Sequence, residues 1–89
     1  MKNTCKVRVK NALGLHTRPA TSIVQMLQSC KSKVRITYRR QTIDAKSILS
    51  ILMLAVHKNA NITIDVEGSD SDIVMKELVD AFENKFGEG

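Results

Sequence analysis

The feature that most constrains the fold is an alternation of apolar and polar residues in three separate stretches of the chain. It is clearest over residues 62–67 and recurs over residues 5–10 and 34–38. A period of two is typical of strands that turn one face to the core and the other to water. Thr42 and Ile43 mark a further, shorter strand. The alternation therefore predicts a sheet with one solvated face. The side chains expected on that face are Lys6, Arg8, Arg35, Thr37, Thr63 and Asp65.

Three segments with helical spacing lie between and after these strands. Apolar residues recur on one face of residues 17–30, and Pro19 suits the first turn, where a missing N–H costs nothing. Residues 47–56 predict a second helix. A third begins among the capping residues 69–72 and carries an apolar stripe that Gly87 ends. The order βαββαβα predicts an α+β fold, with a helix layer on one face of a mostly antiparallel sheet.

The connection between the second and third strands is unusual for a hairpin. It consists of Arg39 and Arg40, whereas tight two-residue turns favour Asn-Gly or other glycine-containing pairs. We therefore expect a looser turn at this position.

Length and composition limit what such a chain can do. With 89 residues, we expect one domain over residues 1–89. Three aromatic residues, Tyr38, Phe82 and Phe86, are too few for the stacking platforms of RNA-binding sheets, and Tyr38 falls on the inward phase of its strand. The net charge of +5 suits an acidic partner, whether nucleic acid, an anionic membrane, a phosphate ligand or an acidic protein, and the charge alone does not choose among them. Because the aromatic residues are so few, we expect no nucleic acid among the partners.

The chain shows no sign of export or membrane insertion. Neither a signal-peptide core nor a run of about 20 apolar residues is present, so we expect a cytoplasmic protein. Cys5 and Cys30 are far apart and match no metal-ligand spacing, so we expect neither a metal nor a cofactor. A disulfide between them is formally possible, but two buried free thiols in a reducing cytosol is the interpretation that we prefer.

His16 is the main candidate for chemistry. It lies between Gly14, which follows a strand, and the helix start at Pro19, with Arg18 two residues further on. A helix N-terminus offers unpaired N–H groups and the positive end of the helix dipole, which together attract anions. A neutral imidazole at this place can accept a phosphoryl group, whose charge the amides and the forked Arg18 guanidinium would stabilise. A histidine at a helix cap is often without function, and we interpret His57 as merely solvated.

The second predicted helix is apolar nearly all round, which is typical of a fully buried helix. Ile51 and Leu54 can reach the core together, which would leave Ile48, Leu49 and Leu52 facing outward. An exposed aliphatic cluster of this kind indicates a surface that docks another protein. Deeper burial of the helix is the other interpretation, and the residues alone leave both open.

Two motifs carry a resemblance to a known family. GLHTRPA at residues 14–20 and AKSILSILML at residues 45–54 resemble the motifs of the HPr family. Its members are the histidine-containing phosphocarriers of the bacterial phosphoenolpyruvate-dependent phosphotransferase system. The resemblance extends along the chain in length and element order. It implies an open-faced β-sandwich, with a four-stranded antiparallel sheet and three helices on one face, and a phosphoryl carrier rather than an enzyme. We expect a monomer.

The resemblance also implies roles for individual residues. His16 would take a phosphoryl group from phosphorylated enzyme I and pass it to IIA domains, with Thr17 and Arg18 at the helix start stabilising the phosphate. Ser47 matches the serine that HPr kinase/phosphorylase modifies in bacteria that have this enzyme. The surface shared by partners would comprise Thr17, Ala20, Thr21, Ile48, Leu49 and Leu52.

Several positions depart from the family pattern. Ser50 and Ala55 stand where several members have glycine, Arg39-Arg40 replaces an Asn-Gly turn, and Asn59 replaces a glycine. The segment ILSILMLAV and the ending LVDAFENKFGEG resemble the nitrogen-branch paralogue, which serves a regulatory relay instead of sugar import. That relay is therefore one alternative. Alternatives outside the family are a small basic nucleic-acid-binding module and an adaptor that uses the apolar helix alone.

Overall fold

Four strands and three helices alternate in the predicted order in the computed structural model, which describes residues 1–88. The strands are β1 (Lys2–Arg8), β2 (Lys33–Tyr38), β3 (Gln41–Asp44) and β4 (Asn61–Glu67). The helices are α1 (Thr17–Leu27), α2 (Ile48–Met53) and α3 (Ser71–Glu83), and a single 3₁₀ turn (Lys85–Gly87) follows α3. No helix within these residues has the length and apolar character needed to cross a membrane.

The four strands form one antiparallel sheet in the order β1-β4-β2-β3. The last strand in sequence thus lies between the first and the second, and Ile64 pairs with Cys5 on one side and Ile36 on the other. Ile64 and Ile36 face the helices and are fully buried, and Cys5 is half-buried against the same core. The predicted solvated face is confirmed, with Lys6, Arg8 and Arg35 exposed and Thr37, Thr63 and Asp65 half-buried.

The core between sheet and helices is almost entirely aliphatic, as the shortage of aromatic residues requires. Among residues 1–88, Phe82 is the only fully buried aromatic side chain of this core, and Phe86 packs edge-on against it with ring centroids 4.8 Å apart. The residues that α1 and α3 contribute are Ala20, Ile23, Leu27, Val74, Met75, Leu78 and Phe82.

The prediction of a loose turn between β2 and β3 is wrong. Tyr38 pairs with Gln41, so Arg39 and Arg40 form a two-residue turn, and both have left-handed backbones with φ of 50° and 67°. Such a turn matches the right-handed twist of paired strands, and this preference outweighs the strain at two residues that are not glycine. The Arg39 guanidinium lies 5.1 Å from the centre of the Tyr38 ring, which partly compensates the strain.

All three predicted helices are shorter in the structure. The first ends at Leu27, three residues before its predicted end. The second ends at Met53 because Ala55 turns left-handed, with φ of 55°. The third ends at Glu83, and Phe86, predicted on its stripe, lies in the separate turn with φ of 52°. In each case the apolar pattern continues past the last helical residue, because side chains that follow the helix also pack on the core.

The capping of α3 differs from expectation. Asp70 is the N-cap residue of α3, but its carboxylate accepts hydrogen bonds from the Lys31 backbone N–H and the Ser32 hydroxyl, not from the helix. These hydrogen bonds stabilise the carboxylate, the bond from Lys31 most strongly, and so hold the pKa of Asp70 below its ordinary value.

Cys5 and Cys30 are both free thiols, the interpretation that we preferred, but both are half-buried rather than buried.

Candidate functional site

The backbone before α1 places His16 at the helix N-cap. Gly14 has φ of 67°, and a Cβ atom there would lie 2.1 Å from the Val56 carbonyl oxygen, so only glycine fits. The next residue, Leu15, donates its N–H to the same oxygen at 3.0 Å and buries its side chain. His16 then adopts an extended backbone, and its carbonyl accepts the N–H of Ala20 at 3.0 Å.

The start of α1 is open to an anion. No side chain caps it, and its first turn contains no acidic residue. Thr17 and Arg18 are both exposed there. Because the first amides of a helix have no partner within it, they can donate to a negatively charged group at this end.

The His16 imidazole is held by a carboxylate that sequence reasoning missed. Its Nε2 atom lies 2.8 Å from Oε2 and 3.2 Å from Oε1 of Glu88, and the two side chains are 31% and 18% exposed. Within residues 1–88, Nδ1 has no hydrogen-bond partner. Of the two ring nitrogens, Nδ1 is therefore the one that these residues leave without a partner.

Glu88 is in turn fixed by Asn11, which is buried. The Asn11 side-chain amide donates to Glu88 Oε1 at 2.6 Å and to the Lys85 carbonyl at 2.9 Å. No local sequence pattern links these residues, which are more than 70 positions apart. An asparagine after a strand and a glutamate after a glycine were the only signals, and neither points to the other.

Basic side chains surround the imidazole. A cavity of about 340 Å³ beside it is lined by three lysines, Lys10, Lys58 and Lys85, together with His16 and Glu88. The Lys10 ammonium pairs with Glu83 at 2.6 Å. This surface suits a partner that carries acidic side chains or a phosphoryl group.

The apolar helix α2, which follows Ser47, packs against α1. Ser47 is the N-cap of α2, and its hydroxyl accepts the N–H of Ser50 at 3.2 Å. Ile51 and Leu54 are buried, whereas the remaining apolar side chains of this helix are exposed. The interpretation of deeper burial is therefore wrong. The exposed apolar side chains of α2 are Ile48, Leu49, Leu52 and Met53.

Two residues change the expected composition of this surface. Ala20, expected at the partner interface, is fully buried because it lies on the core face of α1 with Ile23, so its side chain does not reach the surface. Met53, absent from the expected set, is 74% exposed beside Leu49 and Leu52. Thr21 is half-buried.

Comparisons with known proteins agree with this geometry. Residues 3–84 match the family model described as the PTS HPr component phosphorylation site. The phosphocarrier protein HPr of Chlamydia pneumoniae is 40% identical over 80 residues, covering 90% of this chain and 74% of that protein. HPr of Cupriavidus necator is 34% identical over 79 residues, covering 89% of each.

Solved structures show the same fold. HPr-C-His from Thermoanaerobacter tengcongensis superposes with a TM-score of 0.93 at 34% identity, covering 98% of both chains. A phosphocarrier protein HPr from Bacillus anthracis gives a TM-score of 0.86 at 32% identity, covering 91% of this chain and 96% of that one. A match over nearly the whole chain, together with the motif around His16, shows that the chain belongs to the HPr family of phosphocarrier proteins of the phosphotransferase system.

Proposed function

We propose that His16 is the residue that carries the phosphoryl group, taken from phosphorylated enzyme I and passed to IIA domains of the sugar phosphotransferase system. The observation that carries the proposal is the placement of His16. Its half-exposed imidazole stands at an uncapped helix start, with Nδ1 unpartnered within the described residues. His57, the other histidine, is exposed and lies at no helix start.

The transfer step follows from this geometry. The Nδ1 lone pair forms a bond to phosphorus while the bond from phosphorus to the atom of the donor breaks, and the donor retains that electron pair. The free amides at the start of α1 and the Arg18 guanidinium stabilise the phosphoryl oxygens. Thr17 and Arg18 are exposed, so both can reach a group arriving from solvent.

Partner recognition is assigned to the apolar face of α2. Ile48, Leu49 and Leu52 are exposed beside α1, and Thr17 and Thr21 extend this surface along α1. A phosphate on Ser47 would stand at the edge of this face, where its charge opposes docking of an acidic partner. Ser47 is therefore proposed as a regulatory site for a kinase of the HPr kinase/phosphorylase type.

The setting of this activity is also part of the proposal. Residues 1–89 would act as one cytoplasmic, monomeric phosphocarrier, with no metal, cofactor or nucleic acid required. The nitrogen-branch relay is the second candidate, favoured by the sequences of α2 and the C-terminal segment. Both branches use the same histidine, and they are distinguished by which IIA domain or regulatory acceptor receives the phosphoryl group.

The test is phosphorylation by enzyme I with labelled phosphoenolpyruvate. We expect wild type and His57→Ala to gain one acid-labile, base-stable phosphate, and His16→Ala to gain none. An adaptor or a nucleic-acid-binding module would gain none in any form. Labelled wild type is then offered to a sugar-type IIA and a nitrogen-type acceptor, and faster discharge assigns the branch. Normal labelling of His16→Ala would disprove the proposal.

A further inference from the structure

The contact between Glu88 and His16 determines which nitrogen of the imidazole ring carries the hydrogen. Both carboxylate oxygens lie within 3.2 Å of Nε2, and neither side chain is more than a third exposed. A carboxylate can only accept a hydrogen bond, so the hydrogen of this bond belongs to Nε2. A neutral imidazole has a single N–H, and the lone pair is then at Nδ1.

The chain holds Glu88 in this position in two ways. Asn11, buried after β1, donates to Glu88 Oε1 at 2.6 Å and to the Lys85 carbonyl at 2.9 Å. The turn before Glu88 is left-handed at Lys85, Phe86 and Gly87, with φ of 53°, 52° and 78°. Two successive residues other than glycine rarely adopt this conformation, and the packing of Phe86 on Phe82 helps to hold it. The strained turn thus directs Glu88 toward the imidazole.

We infer that Glu88 is a positioning residue for phosphoryl transfer, which fixes His16 in the Nε2–H tautomer and stabilises the charge that the ring acquires. The inference rests on the proposed function of His16. When Nδ1 bonds to phosphorus and the bond between phosphorus and its donor breaks, the proton on Nε2 stays in place. The ring itself therefore becomes positively charged, beside a carboxylate already oriented toward it. Asn11 contributes indirectly, because it orients Glu88.

Three variants test the role of Glu88. Glu88→Ala removes the acceptor and the charge. Glu88→Gln removes the charge and reverses the hydrogen bond, because the Asn11 amide donates to the glutamine oxygen and the glutamine N–H₂ then faces Nε2 as a donor. Glu77→Gln is the matched control, because Glu77 is an exposed residue of α3 outside the site. Thermal unfolding of each variant shows whether it is folded.

The first measurement is ¹⁵N NMR of the His16 ring in unphosphorylated protein at alkaline pH. We expect the ratio of Nε2–H to Nδ1–H tautomers to fall about tenfold in Glu88→Ala, about 1.4 kcal/mol, and at least as far in Glu88→Gln, whose amide N–H₂ favours a lone pair at Nε2. Water replaces part of the bond because the pair is not fully buried, which limits the effect. This measurement needs no enzyme I, so it tests Glu88 even if the proposed donor is wrong.

The second measurement is the rate of phosphorylation by enzyme I. We expect about tenfold slower phosphorylation in Glu88→Ala, at least as large a loss in Glu88→Gln and none in Glu77→Gln. Asn11→Ala should move both readouts in the same direction as Glu88→Ala; if it fails to fold, the Glu88 variants alone decide. An unchanged tautomer ratio in folded Glu88→Ala overturns the inference, whatever the rate. So does an unchanged phosphorylation rate.

Discussion

Replacing Arg39 and Arg40 with Asn-Gly should make the protein more stable. These arginines form the whole of the turn between β2 and β3, and both have left-handed backbones, with φ of 50° and 67°. This conformation brings the Cβ atom close to the following carbonyl oxygen, a clash that glycine avoids and asparagine tolerates.

The size of the effect can be worked out from three contributions. The left-handed conformation costs roughly 1–2 kcal/mol at each residue that is not glycine or asparagine. Against this relief stand the extra freedom of glycine in the unfolded chain, about 0.4–1 kcal/mol, and loss of the contact between Arg39 and the Tyr38 ring, about 0.5–1 kcal/mol at an exposed site. The net gain is about 1.5 kcal/mol, and the melting temperature should rise by about 6–12 °C for a domain of this size.

Urea and thermal unfolding of the double variant measure this gain. Arg39→Lys with Arg40→Lys is the control, because lysine keeps the charge and the unfavourable Cβ atom, and it should bring no stabilisation. Arg40→Gly alone should give about half of the gain, because it relieves one of the two left-handed residues and keeps the contact between Arg39 and Tyr38. A melting temperature of the Asn-Gly variant at or below that of wild type would refute the argument from strain.

Three further predictions concern single side chains. Arg18→Ala should melt within a few degrees of wild type, because Arg18 is exposed. It should accept phosphate at least about tenfold more slowly, since a charge-assisted phosphate contact is worth roughly 1.5–3 kcal/mol. An unfolded variant would show that Arg18 has a structural role. Ser47→Ala removes the acceptor for the Ser50 N–H, so urea unfolding should show a loss of about 1 kcal/mol of stability. Ser47→Asp should keep its melting temperature but accept phosphate more slowly from enzyme I. Full activity of Ser47→Asp would contradict this. Asp70→Asn should be less stable than wild type at neutral pH. Because the folded-state pKa of Asp70 is lowered, this difference in stability should vanish as the pH falls through that pKa. A difference that stays constant in acid would count against the prediction.

The features that sequence reasoning found are those that repeat locally. The alternation around Val7, Val34 and Ile64 located three strands, because the burial of one face imposes a period of two on adjacent residues. The all-round apolar pattern of the second helix indicated either an exposed face or deeper burial, and the structure shows the exposed face. The His16 motif was found in the same way, because a helix start has local signals.

The features that it missed depend on distant contacts or on competition between local forces. The turn at Arg39 and Arg40 follows the twist of the strands against the preference of its residues. The contact between Glu88 and His16 joins positions 72 residues apart, and Asn11 gives no sign of the role it plays there. Ala20 was placed at the interface by motif, although its spacing with Ile23 already pointed inward.

The central position of β4 in the sheet affects how the chain folds during its synthesis on the ribosome. Until residues 61–67 emerge, β1 has no neighbour, and the only complete strand pair is the hairpin of β2 and β3. The β1–β4 pairing closes a loop of more than 50 residues, which slows folding. The nascent chain therefore keeps β1 and one edge of β2 unpaired until β4 is made, and a chain interrupted before β4 lacks the strand that joins β1, and with it the His16 segment, to the rest of the sheet.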